Sequence, residues 1–574
     1  MDSRNAAHVL SQIAAFLELA GENRFKSRAY QMAARSLVAL AADDLAPLLR
    51  SGELAKVRGL GPATLAVVRD LVETGESRYF EQLREATPEG LLELTDVPGL
   101  SIEKIHKIHQ ELGIASLAEL EAAAQDGRLA KIKGMGPKTA QKILAGIAFS
   151  RNAGVLSLYP HAVVQANALL ASARSHPGVL RAEIGGSLRR RREVVGDVDI
   201  VAACSASPEQ VAQSFTRIAG VRSASGSAAT VTIRFVDGTK LDLYCVTPEE
   251  FAVAWWRASG SIDHIEGVKE RLAKNGLQLR DNTLIDTARR PAPIEEEAAL
   301  YARAGLAWIP PELREGLGEI ESAANGTLPI LIELNDLEGV LHCHSSYSDG
   351  KASIAEMATA AQSKGWAYIG ISDHSQAAFY ASGVSREMML EQHGEIDELN
   401  AKRSGIRILK GVEADILADG RLDYDDELLD RFDYVIASIH SRFKMDGAAM
   451  TSRVLKAMDD PHMTILAHPT GRLLLSRDAY AIDIEAVLEK AREVGVAVEL
   501  NADPHRLDLD WHYVKRAKSL GVTIEIGPDA HSRGGLEWTE LGVAMARKGW
   551  LERSDVLNAR SADQVMAFAK RRLE

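Results

Sequence analysis

The chain has 574 residues, 46% of them hydrophobic and 26% charged, with a formal net charge of −13. That length is too great for one hydrophobic core, so three or more domains are expected, and the acidic total excludes a chain coated all over in basic residues while leaving room for a local patch. No apolar run approaches a membrane span and no signal-peptide pattern opens the chain, so no membrane contact and a cytoplasmic location are expected; Cys204, Cys245 and Cys343 are too few and scattered for a disulfide framework.

The first 155 residues are rich in Ala, Leu and Glu and carry helical periodicity broken by glycine turns. Three segments are alike: "VRGLGPATLAVVRDL", "LTDVPGLSIEKIHKI" and "IKGMGPKTAQKIL". Each sets an apolar residue before a Gly-bearing turn that opens a second helix, where backbone N–H groups can hold a phosphate. They resemble helix-hairpin-helix motifs, which grip the DNA backbone without reading sequence. Gly59, Gly61, Gly99, Gly134 and Gly136 mark the turns, in an expected helical DNA-binding domain at 1–85 and a fingers-like domain at 86–155. The middle segment is the weakest, with one glycine in its turn.

From about residue 160 the period changes to that of strands. "TVTIRFVDGTKLDLYCV" alternates apolar and polar residues on both sides of Asp237-Gly238, a hairpin signal. In "EIGGSLRRRREVVGDVDIVAAC", Asp197 and Asp199 lie two apart in a strand pattern and share a face. If the second arm of the hairpin lies beside that strand, Asp242 joins them. Three converging carboxylates repel one another unless divalent cations sit among them, the arrangement that supports two-metal phosphoryl or nucleotidyl transfer. Oxygen-only ligands imply Mg²⁺ or Mn²⁺. Upstream, Gly185, Gly186 and Ser187 offer backbone and hydroxyl donors to phosphates, and Arg190, within a run of four arginines, offers a charged fork.

At these residues the sequence resembles the nucleotidyltransferase palm of family X DNA polymerases, the group that includes DNA polymerase beta. The resemblance implies a palm at 156–250, a thumb at 251–325 and a connector at 326–337, with Asp197, Asp199 and Asp242 as metal-binding catalytic triad. Asp242 would help activate the primer 3′-OH, and Gly186, Ser187, Arg190, Ser259 and Gly260 would bind the incoming nucleotide. The chain departs from the family in "WWRASGSIDHI", where Arg257 and Ala258 replace two aromatics of the nucleotide pocket and Ile265 replaces an asparagine. The alignment also leaves room for a shift that brings Trp255 or Trp256 into that pocket. The Schiff-base lysine of eukaryotic members falls at Val67, which has no nucleophile, so no lyase activity is expected there.

Residues 338–574 contain seven short apolar runs, each followed by polar residues and most separated by helical segments. Strand alternating with helix implies parallel strands, and a barrel of about seven units places every strand's C-terminal end at one mouth. His342, His344, Asp349, His374, Glu413, His440, His468, Asp529 and His531 would gather there. Imidazoles mixed with carboxylates suit two or three Zn²⁺, Mn²⁺ or Fe²⁺ ions. Cys343 alternates away from its neighbours and is left out. The region resembles the PHP (polymerase and histidinol phosphatase) domain, whose H-x-H opening and D-x-H closing motifs stand here as His342-Cys343-His344 and Asp529-Ala530-His531. All nine family ligand positions are filled, which implies a trinuclear hydrolase of phosphate esters. Arg442 is a candidate phosphate contact, and Asn501, Asp503 and His505 are candidate outer contacts.

The order of parts resembles the bacterial family X DNA polymerases that carry a C-terminal PHP domain. The expected fold is multidomain: an all-α helix-hairpin-helix N-terminal region, an α+β nucleotidyltransferase palm, a helical and mixed thumb, and a distorted (β/α)7 barrel. The resemblance implies gap-filling synthesis in DNA repair and a separate 3′→5′ exonuclease that also cuts abasic sites or removes 3′-phosphates. Gapped or primed DNA and deoxynucleoside triphosphates are the expected partners of a nucleoid-associated monomer. Two rival readings stand beside it: a DNA 3′-end nuclease with a weakened palm, and a small-molecule phosphoesterase fused to a DNA-binding module.

Overall fold

A computed structural model of the chain describes residues 3–19, 24–40, 45–57, 59–74, 77–86, 94, 100, 102–114, 116–132, 134–136, 139–144, 156–218, 221–235 and 238–573. Contacts divide it into two units, Met1–Gly154 and Val155–Glu574.

In the first unit, apolar residues three and four apart select helices. Leu10, Ile13 and Leu17 line one face of Ser3–Leu19 and pack with Tyr30, Ala33 and Leu37 of Arg24–Leu40. The helix Pro62–Thr74 adds Val67, Val68 and Leu71 to that core. Val67 is thus a packing residue, buried to 3% exposure. Gly59 turns at φ +99°, and Gly61 accepts the first helical bond from Leu65 at 2.8 Å while its N–H donates to the Thr64 hydroxyl at 2.9 Å. Gly134 (φ +90°) and Gly136 repeat this before the helical residues 139–144, with Ala140 N–H donating to the Gly136 carbonyl at 3.1 Å. A separate core under this second motif holds Leu100, Ile105, Ile108, Leu120, Leu129 and Ile143. Gly99 lies outside the described residues.

The second unit opens on a five-stranded sheet of β1 (Val179–Ile184), β2 (Val198–Cys204), β3 (Val221–Ser227), β4 (Thr230–Phe235) and β5 (Lys240–Val246), in the order β1-β2-β5-β4-β3. β4 and β5 form the expected antiparallel hairpin; Asp237 lies outside the described residues, and Gly238 turns at φ +89°. β2 and β5 run parallel in the centre. Residues 251–325 follow as helices Phe251–Ser259, Ile262–Lys274, Glu297–Arg303 and Glu319–Asn325 with a small hairpin, Leu277–Arg280 against Thr283–Asp286. Their core gathers around Trp256, Leu272, Tyr301 and Ile309.

Seven further strands, β6 (Gly339–Val340), β7 (Tyr368–Ile371), β8 (Arg407–Asp415), β9 (Tyr434–Ser438), β10 (Met463–Leu466), β11 (Ala497–Asn501) and β12 (Ile524–Gly527), pair in sequence order and all in parallel. Burial on both faces explains their near-continuous apolar runs. A parallel bridge between Cys343 and Ala530 brings the first strand to the last, with His344 N–H donating to the Ala530 carbonyl at 2.9 Å, so the sheet is a nearly closed barrel. The connector 326–337 is fastened to it: Ile332 N–H donates to the Leu551 carbonyl at 2.9 Å. No helix of the described residues is long and apolar enough to cross a membrane.

A buried ion triad joins the sheet to the helices after it. Glu297 accepts a bidentate pair from Arg189 at 2.6 Å and another from Arg314 at 2.9 and 3.1 Å. Burial raises the Glu297 carboxyl, but the two guanidinium partners outweigh it and hold the group down at about 2. A depressed carboxyl stabilises the fold above its unfolded value near 4.5 and loses that contribution as the pH falls toward 2. Glu297→Gln is therefore expected to cost about 3 kcal/mol at pH 7, and the gap in thermal midpoint between variant and wild type should close between pH 4.5 and 2. A gap independent of pH would rule out the charged triad as its cause.

Candidate functional site

Two clusters of candidate metal-ligating side chains stand in the second unit. In the first, the parallel register sets Asp199 directly opposite Asp242, and Asp197, one residue before β2, supplies a third carboxylate. One oxygen from each lies within 4.8 Å of the others. Burial, then the charges of Asp197 and Asp242, push the Asp199 carboxyl up to about 7. Lys240 partly offsets the repulsion, its Nζ donating to Asp197 at 2.9 Å and to Asp242 at 2.8 Å. Gly186, at φ +60°, passes so close to Asp199 that a Cβ there would stand 1.8 Å from its Oδ2. Only glycine allows that approach.

The neighbouring side chains are disposed unequally. Ser187 Oγ is buried with no hydrogen-bond partner, a donor without an acceptor beside the triad. Arg190 is already held, its Nε donating to Glu315 at 3.1 Å and Nη1 to the Ser259 carbonyl at 2.9 Å. Ser259 is fully buried, its hydroxyl donating to the Trp255 carbonyl and accepting from Arg189. A Cβ at Gly260 would meet His264 at 2.9 Å and Ile265 at 3.0 Å. Arg257 reaches away to the Asp281 carbonyl at 3.2 Å, and Ala258 faces Gly185. Neither tryptophan offers a free ring here: Trp255 donates to the Ile184 carbonyl under the Arg189 guanidinium, and Trp256 is buried in the helical core.

The second cluster forms where the barrel strands end. Eight of the nine predicted side chains fall into three overlapping groups: His344, Asp349, His374 and His531; His342, His344 and Asp529; and His374, Glu413 and His440. His468 joins through Glu413, with Nε2 at 3.0 Å from Oε1. Glu413 Oε2 also lies 2.9 Å from His374 Nδ1 and 3.4 Å from His342 Nε2. Several of these atoms are buried without a hydrogen-bond partner: His342 Nε2, both ring nitrogens of His344, His374 Nδ1, His468 Nδ1 and Glu413 Oε2. Orphaned imidazole nitrogens facing buried carboxylates fit divalent cations. Burial, together with the charges of His531 and His374, brings the His344 imidazole down to about 3, and burial with Arg506 brings His468 to about 4. Both rings are neutral at pH 7, the ligating form. Cys343 is fully buried and packs with Ile354 and Ile369, outside the cluster.

Sequence reasoning missed the residues that orient this cluster. Glu499 accepts from His342 Nδ1 at 2.5 Å and from His468 N–H at 2.7 Å, and Asp415 lies 2.8 Å from His440 Nδ1. Asp373 is buried and accepts from Ser345, Ser348 and Gln392, fixing the loop between His344 and Asp349. A charged residue inside each apolar run, in "SDHS", "VEAD" and "VELN", was the available signal. Arg442 is exposed and does not line the cavity of about 400 Å³ at the cluster, whose arginines are Arg477 and Arg506. Tyr380 also lines it. Asn501 donates to Glu499 and Asp529 at 3.2 Å, whereas Asp503 accepts from exposed His505.

Residues 341–503 match the PHP domain, 254–315 the DNA polymerase beta thumb, 1–77 a helix-hairpin-helix domain and 91–148 a SAM-like helix-hairpin-helix tandem. Over 581 aligned residues, covering 100% of both chains, the sequence is 38% identical to the DNA polymerase/3′-5′ exonuclease PolX of Bacillus subtilis. The chain belongs to the bacterial family X DNA polymerases with a C-terminal PHP domain. Probable phosphatases of Caldanaerobacter subterraneus and Thermoanaerobacter sp. strain X514 are 37% and 32% identical to this family X chain over 112 and 201 residues, or 19% and 33% of it and 42% and 77% of theirs.

In this family X chain the His342 ring depends on Glu499 for its orientation. Glu499→Gln is expected to weaken divalent-cation binding by roughly 10- to 100-fold with the circular dichroism unchanged, read by equilibrium dialysis. Undiminished affinity would show that the carboxylate does not set the ring.

Proposed function

We propose that the protein is a DNA repair enzyme with two separate metal-dependent centres, a polymerase palm at 156–250 served by a thumb at 251–325, and a 3′→5′ exonuclease in the barrel at 338–574. The observation that carries this reading is the presence, in one chain, of an oxygen-only carboxylate triad and a distinct imidazole–carboxylate cluster. Asp197, Asp199 and Asp242 would hold Mg²⁺ or Mn²⁺; the nine barrel side chains would hold two or three Zn²⁺, Mn²⁺ or Fe²⁺ ions. Bound cations supply Lewis acidity and neutralise developing phosphate charge in both centres.

The chain's own residues do the rest. Ser187 and the backbone at Gly186 offer donors to the incoming triphosphate, and Arg190, fastened by Glu315, offers a fixed positive charge. Asp242, beside Thr232 and Lys240, is the acceptor for the primer 3′-OH proton, so that the oxygen can attack the α-phosphate and form the new ester bond as the α–β bridging bond breaks and pyrophosphate leaves. In the barrel, Arg506 lies 3.5 Å from Asp529 and Arg477 lines the same cavity, so both are placed to steady a substrate phosphate. The same cavity would take abasic-site ends and 3′-phosphates. The helix-hairpin-helix turns at Gly59, Gly61, Gly99, Gly134 and Gly136 would grip gapped or primed DNA in the cytoplasm, and Val67, being aliphatic, supplies no lyase nucleophile.

The substitutions at Arg257 and Ala258 favour a second reading, in which the palm binds nucleotide poorly and the nuclease dominates. A time course on a gapped, labelled primer–template with Mg²⁺ or Mn²⁺ decides between them: extension with nucleotides and shortening without them supports two working centres, and shortening alone supports the second. Asp242→Ala is expected to lower extension by ~1000-fold or more and spare shortening, and His344→Ala to do the reverse. Loss of both activities in a folded single variant would overturn the two-centre model.

A further inference from the structure

The barrel also reaches the palm. The helix Thr539–Lys548 ends with Lys548 fully buried against the palm loop and the thumb, its Nζ donating to the Glu315 carboxylate, to the Arg190 carbonyl at 3.1 Å and to the Glu312 carbonyl at 3.3 Å. It also sits 4.5 Å from the Trp511 ring centre, a cation–π contact that helps a desolvated ammonium. Burial pushes Lys548 down to about 8, with Glu315 opposing, so it stays mostly cationic at pH 7.

Glu315 is the hub. Its carboxylate meets Lys548, Arg190 Nε at 3.1 Å and Arg192 Nη1 at 3.7 Å. Three cations around one carboxylate leave a positive surplus in a partly desolvated spot, where charge acts strongly. Arg190 Nε is held by Glu315 and Nη1 by the Ser259 carbonyl, while no described residue accepts from Nη2. Without Lys548, Glu315 would spend its whole charge on the two arginines, and the surplus would fall by one.

We propose that Lys548 of the PHP barrel is a positioning residue for the polymerase reaction: by occupying Glu315, it leaves Arg190 fixed in place yet electrostatically free to receive the triphosphate of the incoming nucleotide. This rests on the reading of Arg190 as a triphosphate contact. It makes the barrel part of the palm's nucleotide site, independently of the barrel's own hydrolytic cluster.

The test uses the full chain and single-nucleotide insertion into gapped DNA. Lys548→Met is expected to raise KM for the deoxynucleotide ~10-fold with kcat within about twofold, while the 3′→5′ shortening rate is unchanged; Lys548→Arg should recover most of the loss. Equal loss of extension and shortening, or a fall in kcat alone, would mean a general packing role and overturn the proposal. Should Lys548→Met fail to fold, Lys548→Gln keeps a polar end that can still donate hydrogen bonds but removes the charge, and must raise KM several-fold with shortening intact; an unchanged KM overturns the proposal. Arg190→Ala separates the two levels. If it leaves KM unchanged, the triphosphate role of Arg190 is wrong; if it raises KM while Lys548→Met does not, only the role of Lys548 falls.

Discussion

Carboxylates forced together must find positive charge, and much of the second unit is arranged around that need. One oxygen from each of Asp197, Asp199 and Asp242 lies within 4.8 Å of the others, because parallel pairing of β2 and β5 sets Asp199 opposite Asp242 and Asp197 stands one residue before β2. Lys240 reaches across two of them, and Gly186 passes where no side chain could fit. Glu297 is compensated by two guanidinium groups, and Glu315 by an ammonium and two more. Each carboxylate is costly to bury alone, so losing one partner of a pair is strongly destabilising and the pairs constrain which elements can pack together.

The barrel meets the same constraint differently. Its carboxylates face imidazoles, several of whose nitrogens lack protein partners, and outer carboxylates hold those rings in place. The inner side chains fit cations, while Glu499 and Asp415 set the direction in which the rings present their free nitrogens. Glu525, the register partner of Glu499 on the neighbouring strand, has both oxygens buried without partners, and burial pushes its carboxyl far up.

The two centres are built on different scaffolds but share a border. Arg472, four residues beyond His468, donates to Glu193 at 2.8 Å and to Asp510 at 2.7 Å, tying the loop after Arg192 to the segment that carries Arg506. Together with Lys548 it makes the Gly186–Glu193 stretch a surface that both scaffolds touch.

Much of this was legible in the sequence, because short-range patterns carry it. Alternation around the hairpin located β4 and β5, seven apolar runs located the barrel strands, and the H-x-H, D-x-H and D-x-D spacings pointed to the residues that converge. Strand order, and with it the opposition of Asp199 and Asp242, was a conditional expectation that the sheet register met. What local pattern could not carry was partnership between distant residues: Lys548 with Glu315, Arg472 with Glu193 and Glu499 with His342 are separated by 233, 279 and 157 positions. Arg190 read as a free phosphate fork and Arg442 as a phosphate contact, yet the first is held by Glu315 and the second lies outside the cavity. The sequence by itself determined the elements and the ligand types, because periodicity and side-chain chemistry are local; only the tertiary structure decided which charges neutralise one another, because compensation depends on distance through space.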